Sequence, residues 1–242
     1  MSIYAVNGKE PVSVWIPTLD NSGNGTTTLN DLVGSSDGTL VDFALSGSTS
    51  NWVADTDNGG VRALDFDGTN DHVTIPNPTT ETSNLSVSFW LRLDTGSYEG
   101  PILWKNYHFG IKFYSVPNRV TCHWWDGSDM LNIETSGNLT SVGTWIHYVF
   151  VVSSNAIQEL YEDGAAVGVD FSPSTASRNT GNNITLGTDN VGMDFLDGRL
   201  DDVRIFNSAL DSSDVAYLYN SGSGRGRVTG SGKKTFFMGA AW

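Results

Sequence analysis

Basic residues are scarce in this chain. Thirteen Lys and Arg stand against 27 Asp and Glu in 242 residues, a formal net charge of −14. A surface of that sign repels phosphate backbones, so nucleic acid is excluded as a partner. There is one cysteine, Cys122, so no disulfide can close within the chain, and a lone cysteine reads as a core filler rather than a redox or catalytic group. No run approaches 18 apolar residues, so no helical membrane span is expected. The opening MSIYAVNGKEPVSVW has no basic stretch leading into an apolar one; the sequence therefore predicts a chain made in the cytoplasm without a secretory signal. No glycine-rich loop precedes a helix, which leaves nucleotide binding without support. Helical periodicity is almost missing.

Period-two alternation, by contrast, recurs throughout. In LSVSFWLRL, Leu85, Val87, Phe89, Leu91 and Leu93 point one way, and Ser86, Ser88, Trp90 and Arg92 the other. Further strands are expected at 61–66, 72–76, 102–104, 109–115, 119–125, 145–152, 157–162, 184–187 and 200–206. Asp-Gly pairs at Asp67-Gly68, Asp126-Gly127, Asp163-Gly164 and Asp197-Gly198 read as turns between them. With 38% hydrophobic residues, 11% aromatic and 27 glycines, the chain has a core's worth of apolar material cut by many tight turns. The expected fold is all-β, an antiparallel two-sheet sandwich. One short helix is expected at about 211–219, with Asp211 as its cap and Asp214 near its positive end.

The organisation reads as an N-terminal arm (1–9), a domain (10–222) and a tail (223–242). Residues 1–222 hold 9 Lys and Arg and all 27 acids, or −18; residues 223–242 hold 4 Lys and Arg and no acids, or +4. The tail is Gly/Ser-rich, then basic, then apolar at Phe236, Phe237, Met238 and Trp242. It is either a frayed end or an anchor: a flexible spacer, a steering charge, and aromatics buried in a partner.

Four segments together resemble the laminin-G-like, concanavalin A-type jelly-roll family. They are ALDFDGTNDHVTI (63–75), LSVSFWLRLD (85–94), WIHYVFVVSSNAIQELYEDGAAVG (145–168) and FLDGRLDDVRIFNSALDSSDVAYLY (195–219). The resemblance covers roughly 10–222 and implies two antiparallel sheets, one of them concave. It makes the acidic closing segment structural first: a turn at Asp197-Gly198, a strand at 200–206, a capped helix after it. If Val203 and Ile205 face the core, alternation puts Asp201 on the core side too. A carboxylate there needs backbone N–H groups, an arginine such as Arg62, or a structural Ca²⁺ shared with Asp67, Asn70 or Asp71.

The family also implies two kinds of function. Its β-glucan hydrolases carry three acids spaced E-x-D-x-E or E-x-D-x-x-E on one strand, two of them acting as nucleophile and acid. The nearest stretch here is Glu159-Leu-Tyr161-Glu-Asp163, where tyrosine replaces the middle acid, so a non-enzyme is expected and glycoside hydrolysis is a remote alternative. No Ser-His-Asp or Cys-His set involves His72, His108, His123 or His147, and His147 reads as a structural hydrogen-bonding group. The pentraxin branch binds ligands through Ca²⁺ on the concave face. Carried over onto this chain, that resemblance implies Asn106 after ILWKN, and Asp189 and Asn190 in ITLGTDN, with Val191 where the family has an acid and Asp194 as its substitute. Sugars also stack on exposed aromatics. KNYHFG and CHWWDGSDM offer Trp104, Tyr107, His123 and Trp125 as ligand-binding candidates, and Trp124 and Trp125 must point to opposite faces.

The layout further resembles short concanavalin-like proteins of tailed bacteriophages. The expected role is a non-catalytic glycan-binding or display module on a virion surface, held to capsid or other virion proteins by its tail. The alternative is a structural decoration or assembly protein that uses the sandwich only as a brick. Self-association into a homo-oligomer is compatible with either.

Overall fold

The computed structural model describes residues 2–20, 26–45, 52–54, 62–78, 83–115, 119–125, 130–135, 142–153, 158–170, 181–189 and 192–220. Two antiparallel sheets of eight strands each face one another. The first sheet (sheet I) contains β1 (Pro11–Trp15), β4 (Trp52–Val53), β5 (Ala63–Asp67), β7 (Leu85–Leu93), β12 (Ile146–Val152), β13 (Gln158–Glu162), β14 (Ala165–Asp170) and β16 (Asp197–Phe206). The second (sheet II) contains β2 (Thr28–Leu29), β3 (Gly38–Val41), β6 (His72–Ile75), β8 (Gly100–Lys105), β9 (Phe109–Tyr114), β10 (Arg119–Trp125), β11 (Met130–Glu134) and β15 (Ile184–Leu186). Sheet I runs β14-β13-β12-β7-β16-β5-β4, with β1 beside the far end of β16; sheet II runs β11-β10-β9-β8-β15-β6-β3-β2.

The core forms where the apolar sets of the two sheets meet. Val87, Phe89 and Leu91 of β7, and Tyr148, Phe150 and Val152 of β12, face Phe109, Ile111 and Phe113 of β9, and Val120, Cys122 and Trp124 of β10. Cys122 is fully buried there, and burial pushes its thiol well above the usual range, so it is inert as a nucleophile.

The outer face of sheet I is covered as well. Helix α1 (Ser212–Tyr219) lays Val215 and Leu218 on Val149, Val151, Tyr161 and Phe206, together with Val6 from the N-terminal arm. Asp211 caps the helix by accepting from the N–H groups of Ser213 and Asp214, and the Asp214 carboxylate accepts from the Asp211 N–H, a reciprocal capping box. The arm is tied down at the same point: Asn7 Nδ2 donates to Asp214 at 2.8 Å, and Lys9 pairs with the same carboxylate. This cover explains why the outward set of β7 is not wet: Ser86, Ser88 and Trp90 are as buried as its core set. Ser86 Oγ accepts from the Leu210 N–H at 2.9 Å and donates to the Ser208 carbonyl at 2.8 Å, pinning the turn that launches the helix.

β16 departs from the expected alternation. It first pairs with β5 through residues 197–200 and then with β1 through residues 203–206. Where it changes neighbour, its register against β7 shifts between Asp201 and Arg204, and Asp202 takes a φ of 50°. This bulge inserts one residue, so Leu200 and Val203 both reach the core. Asp201 is thereby turned to the outer side, opposite Trp90, not the core side that strict alternation gives. Asp197-Gly198 is not a turn either; both residues are paired strand, and β16 starts there. Asp163-Gly164 is a turn, with φ of 48° and 82°, the two left-handed residues that a tight β13–β14 hairpin requires. The Asp126-Gly127 pair lies outside the described residues.

Candidate functional site

With the helix over sheet I, the outer face of sheet II is the one on which the chain displays aromatic and polar side chains. Backbone pairing aligns a single transverse row across all eight strands: Thr28, Thr39, Thr74, Thr185, Trp104, Gly110, His123 and Asn132. Directly paired residues share a face, so these side chains stand side by side about 4.8 Å apart. The alternate positions (Leu40, Val73, Leu186, Leu103, Ile111 and Cys122 among them) fill the core.

The middle of this row is built by a missing side chain. A Cβ on Gly110 would stand 2.2 Å from Cε3 of Trp104 and 2.3 Å from Cζ3. The half-buried indole therefore lies directly over strand β9. Its edge meets His123 at 5.8 Å between ring centres, and His123 in turn meets Tyr114 at 6.4 Å. Next to this strip, the β8–β9 turn presents Tyr107, half exposed and held at a φ of 54°. A left-handed aromatic residue is strained by roughly 1–2 kcal/mol, which the ring recovers in part by packing edge-on against Trp125, 5.2 Å away. Trp124 is in the core while Trp125 stands outside. All four aromatic candidates, Trp104, Tyr107, His123 and Trp125, thus sit on one end of one face.

His123 is almost wholly enclosed. Burial pulls its pKa down to about 4, the nearby Lys112 adds repulsion, and a hydrogen bond with Asn132 and the charge of Glu134 oppose the shift. The unfolded histidine takes up a proton below about 6.5 and the folded one only below about 4. Stability should therefore fall as pH drops through this window, by up to roughly 3 kcal/mol, since each pKa unit is worth about 1.4 kcal/mol. Denaturation of the wild type and His123→Gln at pH 7 and pH 4.5 checks this. The variant should lose less stability on acidification, and identical losses would show that His123 does not carry the effect.

Of the cation ligands expected from the sequence, Asn106 stands apart from Asp189 and Asp194. Asn106 follows the C-terminal end of β8, where its carbonyl accepts from Asn182 at 2.9 Å. Asp194 packs against Gly100, at the other end of the same strand, and Asp189 lies in the loop with it, accepting from the Met193 N–H at 3.3 Å. Six strand residues separate the two ends by about 20 Å, so Asn106 cannot share an ion with Asp189 or Asp194. The physical reason is the antiparallel pairing of β8 with β15, which sends the two loops in opposite directions. Asn190 lies outside the described residues.

The second expected set separates in the same way. Asp67 faces Asp197 across the β5–β16 pair, and Asp201 is four residues further along β16, about 13 Å away. Asp67 and Asp71 are occupied locally: Asp67 accepts from the Thr69 and Asn70 N–H groups, and Asp71 accepts from the Asp67 N–H at 3.2 Å. They shape the β5–β6 loop. Asp201 accepts from the Asp202 N–H at 2.8 Å. Among the described residues no group of three or more His, Cys, Asp or Glu is arranged to hold a metal.

The acids weighed for hydrolysis are on the other sheet. Glu159 accepts from the Tyr161 hydroxyl at 2.6 Å at the margin of the helix-covered face. Asp163 is in the hairpin turn, where its carboxylate accepts from the His147 N–H at 3.0 Å. Neither stands on the aromatic face. His147 is buried and exchanges a 2.9 Å hydrogen bond with Ser88. The anchor candidates Phe236, Phe237, Met238 and Trp242 lie outside the described residues.

The family model described as the concanavalin A-like lectin/glucanases superfamily, of laminin G type, matches residues 67–216. The chain belongs to this superfamily. Solved structures agree on the fold. Domain 4 of AbnA, a GH43 extracellular arabinanase from Geobacillus stearothermophilus solved with arabinotriose, is similar with a TM-score of 0.62 at 18% identity, over 86% of this chain and 97% of that one. The binding domain of botulinum neurotoxin serotype D is similar with a TM-score of 0.66 at 14% identity, over 89% and 52%. A botulinum neurotoxin type C structure, described as dependent on two ganglioside molecules for cell entry, gives 0.61 at 15%, over 91% and 53%. This concanavalin A-like chain spans about half the length of those toxin chains. No curated protein matches it.

What sequence reasoning missed is the Gly110 cradle and the row it belongs to. FGIKFYS reads as one more strand. Only pairing shows that its glycine lies beneath a tryptophan from another strand.

Proposed function

We propose that this chain is a non-catalytic glycan-binding module, and that the outer face of sheet II binds the sugar. The observation that carries this reading is the aromatic platform. Trp104 lies flat over Gly110 beside His123. Tyr107 and Trp125 are paired edge to face next to it. The row continues as four threonine hydroxyls. Flat rings bind sugars by stacking, and a line of hydroxyls and amides fixes their orientation. The AbnA domain with its arabinotriose and the ganglioside-dependent toxin support the same reading. Against hydrolysis stands the placement of Glu159 and Asp163: four residues of strand and turn apart, each engaged locally, away from the platform.

The setting is part of the proposal. The body is acidic and the 223–242 stretch is basic, Gly/Ser-rich and then aromatic, which suits a displayed domain tethered to a particle, as on a bacteriophage virion. Deleting 223–242 should release the domain from its particle.

Retention on a panel of immobilised polysaccharides, including arabinan, tests the binding reading. Tyr107→Ala combined with Trp125→Ala should lose retention, by tenfold or more, with unchanged thermal unfolding. Equal retention by variant and wild type, or none by either, would favour a purely structural brick. Turnover that disappears in Glu159→Gln would reinstate hydrolysis.

A further inference from the structure

We infer that the sugar held on sheet II carries a carboxylate, and that Lys112 is the residue that receives it. This deepens the glycan-binding reading and rests on it. Cations are rare in the chain, yet two stand on this face, Lys112 of β9 and Arg119 of β10. Arg119 is already matched, donating to Glu134 at 2.7 Å. Lys112 is not: its Nζ is poised 5.3 Å above the ring of Tyr114, and among the described residues it pairs with no carboxylate. A cation–π contact holds an ammonium in place without neutralising it.

Its position suits a ligand. Lys112 follows Gly110 by two residues on the same face, about 7 Å from the strand position beneath the Trp104 indole. A sugar stacked on Trp104 can project one substituent over that distance. Across the strand pair stands Thr121, the register partner of Lys112; its Oγ1 is buried and has no hydrogen-bond partner among the described residues. A buried hydroxyl without a partner is uncommon. An ammonium and a hydroxyl side by side supply the two donors that one carboxylate accepts. Of the carboxylates near this corner, Glu134 stands across from Thr121 on the far side from Lys112 and is matched by Arg119 at 2.7 Å, and Glu99 accepts from Ser115 at 3.4 Å. The overall charge of −14 does not forbid an anionic ligand, because at physiological salt charges beyond about 8 Å are largely screened and the local cation decides.

The test compares polygalacturonate with its carboxyl-reduced, neutral form, and sialyllactose with lactose, on the full chain. At least one acidic ligand should bind about tenfold or more tightly than its neutral counterpart. Lys112→Gln should erase that difference while leaving neutral-sugar binding unchanged, and Lys112→Arg should keep it. Equal binding of acidic and neutral partners, or an acidic preference that survives in Lys112→Gln, would overturn the inference and leave the glycan reading standing. Failure of every glycan to bind would overturn both.

Discussion

Replacing Asp202 by asparagine should cost this chain about 3 kcal/mol of stability, far more than a one-atom change on a surface. Asp202 sits in the β16 bulge and pairs two-to-two with Arg204: Nε to Oδ1 at 2.6 Å and Nη2 to Oδ2 at 2.9 Å. The Arg204 and Asp202 side chains are 3% and 5% exposed. Breaking a buried pair by removing one partner costs about 3–5 kcal/mol, because the surviving charge is left in a poorly solvated place. Asparagine is the informative substitute. It tolerates the φ of 50° that Asp202 adopts, so the measured loss reports charge rather than backbone strain. Arg204→Met in the same chain should recover most of the loss. Urea unfolding of the wild type and the two variants checks this; an Asp202→Asn protein as stable as wild type would show that the pair contributes little.

The second large effect is expected from a change of one methyl group. Gly110→Ala should cut glycan retention tenfold or more while costing only about 1–3 kcal/mol of stability. A Cβ at this position meets the Trp104 ring at 2.2 Å, so the indole must leave the strand surface. Gly110 is not among the residues with positive φ, so alanine fits the backbone there and the effect acts through the tryptophan. Retention equal to wild type, with the indole displaced, would show that Trp104 is not a stacking surface.

Much of this fold was legible from alternation. The strands with strong apolar sets, such as LSVSFWLRL and WIHYVFVV, stand where period-two reading places them, and the core side of the first is as expected. The strands that reading missed are Pro11–Trp15, Thr28–Leu29, Gly38–Val41, Trp52–Val53, Met130–Glu134 and Ala165–Asp170, none longer than six residues. They are held by neighbours rather than by their own pattern. The errors share one cause. Alternation assumes uninterrupted pairing, and at Asp201–Asp202 a bulge breaks it, so Asp201 was assigned to the wrong side. Asn106 is parted from Asp189 and Asp194, and Asp201 from Asp67, for a related reason: residues on adjacent strands were grouped without knowing which strand ends meet. The aromatic candidates came from exposed-ring chemistry, and pairing then gathered Trp104, Tyr107, His123 and Trp125 onto one face. Gly110 carries no such chemical signature, and only the pairing register reveals it.

The most direct measurement is a heteronuclear NMR titration of the labelled chain with the oligosaccharide corresponding to the best-retained polysaccharide, following the tryptophan indole N–H signals. The account predicts shifts at Trp104 and Trp125 and at the Gly110 amide, with Trp90 and Trp145, beneath the helix side of sheet I, unmoved. Shifts confined to Trp90 and Trp145, or a saturating titration that moves neither Trp104 nor Trp125, would contradict it.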